Sequence, residues 1–349
     1  MSVFSNQVIN WYRLNFRQLP WRETKDPYKI WVSEVILQQT RVAQGLAYYE
    51  RFIARFPDVK SLAAADIAKV LQLWQGLGYY SRARNMHFTA CEVVRLYKGK
   101  FPSSYDQLIA LKGIGEYTAS AISSFVKNEP HPVIDGNVYR VLSRYFGIDL
   151  PVDSTAGKKI FREKALAIFD PGNAGMHNQA IMEFGALVCT PKKASCENCV
   201  FRKKCVAFQT GRVYDLPVKK KKVASKKRYF HYIVVHDQKN VLMKKREEKD
   251  IWHSLCDFPL IENNSQKISP AKIGKLPTAS NNKLPAKPDS FVKTVHKLSH
   301  QDLFIQFNLY EVKKIRADKN TFPVPLQKKT FPGVPQVILK FLEGEKLLR

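Results

Sequence analysis

Two carboxylates and four thiols carry most of the chemistry open to this sequence. Glu34 is the lone charge in Trp31-Val32-Ser33-Glu34-Val35-Ile36-Leu37-Gln38-Gln39-Thr40. The run reads as a helix, which sets Trp31, Val35 and Gln38 on roughly the face of Glu34. A carboxylate among large apolar neighbours loses hydration, so its pKa rises and it can donate a proton near neutral pH. The competing reading puts Glu34 on the wet stripe of an amphipathic helix. Asp135 lies in Pro130-His131-Pro132-Val133-Ile134-Asp135-Gly136-Asn137, a loop that launches a helix near Val138. It is well placed as an N-cap, where a depressed pKa would keep it ionised.

The thiols form a second constellation. Cys189, Cys196, Cys199 and Cys205 are spaced C-x6-C-x2-C-x5-C, while Cys91 and Cys256 stand apart. In a reducing compartment, four clustered thiols hold a metal more readily than two disulfides. Zinc ribbons show two C-x2-C pairs and this segment has one, so a cubane iron–sulfur cluster suits it better, with zinc as the alternative. Lys192, Lys193, Arg202, Lys203 and Lys204 surround the thiols, either against phosphates or facing solvent.

Positioning these groups takes a chain long enough for two domains, and 349 residues suffice. The first 205 or so residues read as short helices separated by turn signals. Leu111-Lys112-Gly113-Ile114-Gly115 breaks one helical stretch, and Gly113 and Gly115 allow a tight turn. The amides that open the second helix would then face a phosphate. A formal charge of +27 points to a polyanionic partner, nucleic acid first and an anionic membrane surface second. No apolar stretch approaches the roughly 20 residues that span a bilayer. The N-terminal segment shows no signal-peptide pattern, so a cytoplasmic protein is expected. After a lysine-rich stretch the texture turns to strands near 229–235, 241–243, 291–296 and 303–312, with a closing helix over 334–342. Residues 261–290, rich in Ser, Asn, Pro and Lys, read as a poorly ordered loop.

The helical part resembles the helix-hairpin-helix DNA glycosylase superfamily, related to endonuclease III. The run containing Glu34 is similar to the signature of the MutY-type adenine DNA glycosylases. Leu19-Pro20-Trp21-Arg22, Gly76-Leu77-Gly78-Tyr79-Tyr80-Ser81-Arg82 and Val133-Ile134-Asp135-Gly136-Asn137-Val138 are similar to further blocks of that family. The resemblance runs from about Leu19 to Pro217 and includes the cysteine spacing, which implies a [4Fe–4S] cluster. It also implies an all-α helix-hairpin-helix glycosylase domain over 1–215, with its cluster loop at about 189–205. A basic linker, 216–228, and a smaller α+β Nudix-like domain, 229–349, would follow.

What the family does supplies the expected roles. Double-stranded DNA with A opposite 8-oxoguanine would be the substrate, bound by a monomer, with a monovalent cation as a further partner at the hairpin. The adenine is flipped out of the stack. Glu34 would protonate its N7 while Asp135 steadies the oxocarbenium-like sugar, a two-carboxylate arrangement shared with glycoside hydrolysis. Tyr117 and Asn137 would orient and stabilise; Trp21, Arg22, Gln39, Thr40, Leu77, Tyr79 and Tyr80 would line the pocket or wedge the DNA. Endonuclease III-type lyases carry a lysine where this chain has Tyr117, so a monofunctional glycosylase is implied. Leu298, Ser299 and His300 align with an 8-oxoguanine-sensing loop that more often reads Phe-Ser-His, so Leu298 leaves aromatic stacking in doubt. The acidic helix of true Nudix hydrolases is absent, and no nucleotide hydrolysis is expected. The rival class is a non-catalytic DNA clamp.

Overall fold

The computed structural model describes residues 2–220, 225–248, 250–328 and 331–348. The chain divides into two compact units, Met1–Ala64 with Asn85–Lys222 and Ala65–Arg84 with Val223–Arg349.

The first unit is helical. Its core joins Phe4, Val8, Ile9 and Tyr12 of the Val3–Asn15 helix to Val138, Val141, Leu142, Phe161, Ile181 and Phe184. The Pro27–Leu37 helix is started by Pro27 and by Asp26, whose side chain accepts from the Tyr28 amide at 2.9 Å. Tyr28, Ile30, Trp31, Val32, Val35 and Ile36 are all buried, so apolar residues cover every side and no wet stripe exists. Expected to run to Thr40, the helix stops at Leu37, and Gln39 turns into the left-handed region at φ 56°. The interrupted stretch is a true hairpin, Tyr105–Ile109 then Glu116–Lys127. Gly113 sits at φ 95°, and a Cβ there would come within 2.9 Å of Thr89 Oγ1.

The Gly136–Phe146 helix is capped by Asp135 and closed by Gly147 at φ 67°. The Ala174–Leu187 helix approaches its first turn so closely that a Cβ on Gly185 would meet Asn137 Cβ at 2.7 Å. That contact fixes where Asn137 and Asp135 stand.

Among the described residues the second unit is built on a seven-stranded sheet of β1 (Lys226–His236), β2 (Asn240–Lys245), β3 (Cys256–Asp257), β4 (Leu260–Asn263), β5 (Ser290–Lys297), β6 (Gln301–Glu311) and β7 (Phe322–Pro325), in order β3-β2-β1-β6-β5 with β4 paired to β1 and β7 to β2. β1 (Lys226–His236) and β6 (Gln301–Glu311) run parallel, while the other pairs are antiparallel. Phe230, Tyr232, Val234, Ile305 and Phe307 bury one face against Val337, Ile338 and Phe341 of the Gln336–Gly344 helix. The basic linker expected over 216–228 departs from this. Residues 221–224 lie outside the described residues, and Lys226, Lys227 and Arg228 already belong to β1.

Two further expectations are corrected. Residues 261–290 are not a plain loop: β4 (Leu260–Asn263) and helices Pro270–Gly274 and Pro277–Asn281 bury Ile261, Ile273 and Ala279 against Ile233 and Tyr310. A few apolar residues in a polar stretch anchor it, which composition alone hides. Residues 65–84, read with the helical domain, pack with the sheet unit. Gln72 Nε2 donates to Phe331 O at 3.0 Å, Tyr80 Oη to Val334 O at 3.2 Å, and Arg84 Nη1 to His253 O at 2.8 Å.

Candidate active site

Glu34, Tyr117, Asp135 and Asn137 line one cavity of about 510 Å³ in the helical unit, with Trp21, Arg22, Gln39 and Thr40 around them. That volume lies within the usual range of about 300–1,000 Å³ for sites that enclose a small planar ligand. Glu34 is 6% exposed, and its Oε2 accepts from Tyr117 Oη at 2.7 Å. Burial pushes the Glu34 carboxyl up to about 7; the negative charge of Asp135 adds to the rise, while the Tyr117 hydroxyl and Arg22 oppose it. Burial likewise holds the Tyr117 phenol well above its ordinary range, so it stays a donor.

Asp135 corrects the expectation of a depressed pKa. Its carboxyl is raised above the ordinary value because burial outweighs the donors that favour the anion. Those donors are nonetheless numerous. The amides of Asn137 and Val138 reach Oδ1 at 2.9 and 2.7 Å, and Asn137 Nδ2 reaches Oδ2 at 2.7 Å. Glu34 receives one hydroxyl; Asp135 receives three N–H groups. Of the two, Asp135 is the one built to carry the negative charge.

Two partners escaped the sequence reading. Glu183 is almost fully buried and takes Arg17 Nε and Nη2 at 2.7 and 2.6 Å and Arg22 Nη1 and Nη2 at 3.0 and 2.7 Å. Burial alone would raise its pKa, but the two guanidiniums overcome it and leave it at about 2. Arg22 lines the cavity with its guanidinium forked onto Glu183. The sequence did contain a signal, since Glu183 is a lone acid inside Ala180-Ile181-Met182-Glu183-Phe184-Gly185-Ala186-Leu187, the same pattern that marks Glu34. Arg140 is the second. Its Nη2 donates to Asn137 Oδ1 at 2.9 Å and to Gly185 O at 2.6 Å, and its Nε to Cys189 O at 2.6 Å. By occupying Oδ1, Arg140 turns the Asn137 amide so that Nδ2 faces Asp135.

The four cysteines gather at the other end of the same helix. Arg144 Nη1 donates to Cys189 Sγ at 3.4 Å and to Thr190 O at 2.8 Å, and the Phe201 amide points at Cys199 Sγ at 3.4 Å. Burial pushes the Cys199 thiol up to about 11, with the neighbouring Cys189, Cys205 and Cys196 adding to the rise. Among the described residues, no three His, Cys, Asp or Glu side chains converge on a site for a single ion.

Leu77, Tyr79 and Tyr80 do not join the Glu34 cavity. With Leu298, Ser299 and His300 they line a second cavity, about 490 Å³, within the sheet unit. Tyr80 is buried and bonded to Val334 O, a structural aromatic, whereas Tyr79 is 47% exposed at φ 46°. Gly113 and Gly115, at the hairpin, are exposed, and a Cβ on Gly115 would meet only open space.

Comparison with known proteins accords with this geometry. Residues 32–165 match the HhH-GPD superfamily of base excision DNA repair proteins. The adenine DNA glycosylase of Buchnera aphidicola subsp. Schizaphis graminum is 37% identical over 349 aligned residues, covering 98% of each chain. The Homo sapiens adenine DNA glycosylase is 39% identical over 218 residues, which cover 60% of this chain and 40% of that one. Among solved structures, a thermostable thymine-DNA glycosylase superposes with a TM-score of 0.55 at 26% identity, over 60% of this chain and 96% of that one. A non-covalent endonuclease III–DNA complex shares the fold at a TM-score of 0.52 and 18% identity, over 59% and 94% of the chains.

Proposed function

The chain belongs to the adenine DNA glycosylase family, removing adenine from DNA in base excision repair, and we propose that its target is adenine mispaired with 8-oxoguanine, cut by a monofunctional hydrolytic mechanism. The observation that carries the mechanism is the pairing in one cavity of a carboxyl near pKa 7 with a second carboxylate held by three N–H donors.

A flipped adenine enters the cavity, and Glu34 gives its proton to N7, which drains electrons from the C1′–N9 bond. As that bond breaks, adenine leaves as the neutral base and positive charge develops on the sugar. Asp135 faces this charge and stabilises it electrostatically. Water adds to C1′, its proton re-forms the acid, and an abasic site results. Tyr117 fixes the Glu34 carboxyl, and Arg140, through Asn137, fixes Asp135. Tyr117 is a phenol and cannot form the imine that a lyase requires.

Cys189, Cys196, Cys199 and Cys205 would hold a [4Fe–4S] cluster, supported by their spacing and by N–H groups aimed at two of the sulfurs. Such a group braces the basic 189–205 loop when bound. In the sheet unit, the exposed Ser299 hydroxyl can both accept and donate, which suits the protonated N7 and C8 carbonyl of 8-oxoguanine. Gly115 and the amides that open the Glu116–Lys127 helix suit a DNA phosphate.

Single-turnover release of adenine from duplexes with A opposite 8-oxoguanine, guanine or thymine tests this. Release should be fastest opposite 8-oxoguanine, and Glu34→Gln and Asp135→Asn should each lower it by at least about 10²-fold. Full activity in Glu34→Gln would remove it as the acid. Efficient borohydride trapping on abasic DNA would overturn the monofunctional assignment.

A further inference from the structure

The cavity in the sheet unit is lined by a residue that the motifs did not reveal, Trp252, together with Leu298, Ser299, His300, His296 and Tyr79. Trp252 is held at φ 62°, a left-handed backbone that a bulky side chain adopts only when its surroundings enforce it. Tyr79, on the same cavity, sits at φ 46°. Two large aromatics in this conformation at one cavity mark a site whose shape is held against local preference.

What holds Trp252 is visible on both flanks. Asp250 is clamped by Arg228 at 2.7 and 3.0 Å and by Arg246 at 3.3 Å. Arg246 is itself buried, paired with Asp257 at 2.7 Å, and Arg228 is also paired with Glu262. On the other side, the Ser254 amide donates to Arg246 O at 2.8 Å, and Arg84 Nη1 to His253 O at 2.8 Å. The indole meets Phe230 edge-on at 6.3 Å and His296 at 5.9 Å, so one side packs toward the core while the residue stays partly exposed. Arginine–carboxylate forks of this kind fix a loop far better than backbone turns alone.

We propose that Trp252 is a specificity-determining residue that stacks on the purine opposite the excised adenine, supplying the π face that Leu298 lacks. The inference rests on the 8-oxoguanine reading of this cavity. Trp252 gives the base a flat aromatic partner, and the exposed Ser299 and His300, whose Oγ and Nδ1 lie 3.2 Å apart, line the same cavity where its edge would be met. Stacking of a base on an aromatic ring is worth about a 5- to 150-fold effect on affinity.

The experiment compares Trp252→Leu, which keeps apolar bulk without a π face, with Trp252→Phe, which keeps one. The readout is the ratio of single-turnover adenine release opposite 8-oxoguanine to that opposite guanine. The ratio should fall by up to roughly 5- to 150-fold in Trp252→Leu, persist in Trp252→Phe, and recover in part in the double variant Trp252→Leu/Leu298→Phe. A ratio unchanged in Trp252→Leu, or rates that fall in equal proportion on both duplexes, overturns the proposal. A second measurement places 2-aminopurine opposite the target adenine and follows its fluorescence. Quenching on binding that Trp252→Leu abolishes supports stacking; quenching that survives it refutes stacking. This arm decides the role of Trp252 even if the wild type shows no preference for 8-oxoguanine, a result that would sink only the substrate reading.

Discussion

Tyr117→Phe should move the alkaline limb of the pH–rate profile upward. As the proposed acid Glu34 must be protonated to act, and at a pKa of about 7 half of it is protonated at pH 7. An exposed carboxyl at the unperturbed value of 4.5 would be roughly 0.3% protonated there, so burial makes the acid about 150-fold more available. The Tyr117 hydroxyl, 2.7 Å from Oε2, opposes that rise by favouring the anion. A hydrogen bond to a charged group is worth about 1.5–3 kcal/mol, and one pKa unit corresponds to about 1.36 kcal/mol. Removing it should therefore lift Glu34 by about 1–2 units. In the wild type, single-turnover release should be flat below about pH 7 and fall about tenfold per unit above it. In Tyr117→Phe the fall should begin near pH 8–9, roughly, whatever happens to the plateau. Rapid-quench assays on a duplex with A opposite 8-oxoguanine, over about pH 5.5–9.5, read the limb directly because they isolate chemistry. A limb that stays put or moves down refutes the assignment of Tyr117 as a donor to the acid. A wild-type rate that is flat from neutral to alkaline pH refutes Glu34 as the acid itself.

Glu34 also weakens the fold. Its folded pKa of about 7 exceeds the unfolded 4.5, so the folded state binds the extra proton and stability falls as pH rises from 4.5 to 7. Glu34→Gln should be more stable than wild type at alkaline pH by roughly 3 kcal/mol and nearly equal to it near pH 4.5, as read by urea unfolding. Equal stability at both pH values would mean that Glu34 is solvated. Glu183→Gln leaves Arg17 and Arg22 facing a neutral amide and should cost about 3 kcal/mol, the low end for a broken buried pair because Arg17 is 35% exposed. Denaturant titration checks it, and a loss below about 0.5 kcal/mol would mark the cluster as a surface pair. Cys199→Ser should lower bound iron and sulfide and expose the 189–205 loop to protease, while zinc retained in place of iron would reverse the cluster assignment. Binding to duplex DNA should weaken with salt at a slope of about −0.9 in log K per neutralised phosphate, and a flat response would exclude phosphate contacts as the source of affinity.

Much of this protein is legible along the chain because its chemistry is written in local exceptions. A single acid in an apolar run, an aspartate before a helix, glycines on either side of Ile114 and four spaced cysteines are each one-dimensional signals with direct physical causes. The same logic would have reached Glu183, whose apolar run matches that of Glu34. Arg140 and Trp252 carry no such mark. Arg140 matters because Cys189 O and Gly185 O, far along the chain, turn its guanidinium toward Asn137. Trp252 matters because arginines from β1 and beyond β2 clamp the loop that holds it.

Residue types and their order thus determined the candidate carboxylate pair, the cysteine set and the helical-then-sheet layout, since desolvation, capping and periodicity act between near neighbours. Tertiary structure decided the rest: that Glu34 and Asp135 share one cavity, that burial raises Asp135 rather than leaving it depressed, and that residues 65–84 pack with the sheet unit. Each of these depends on which distant groups exclude water from a site, and that is a property of packing.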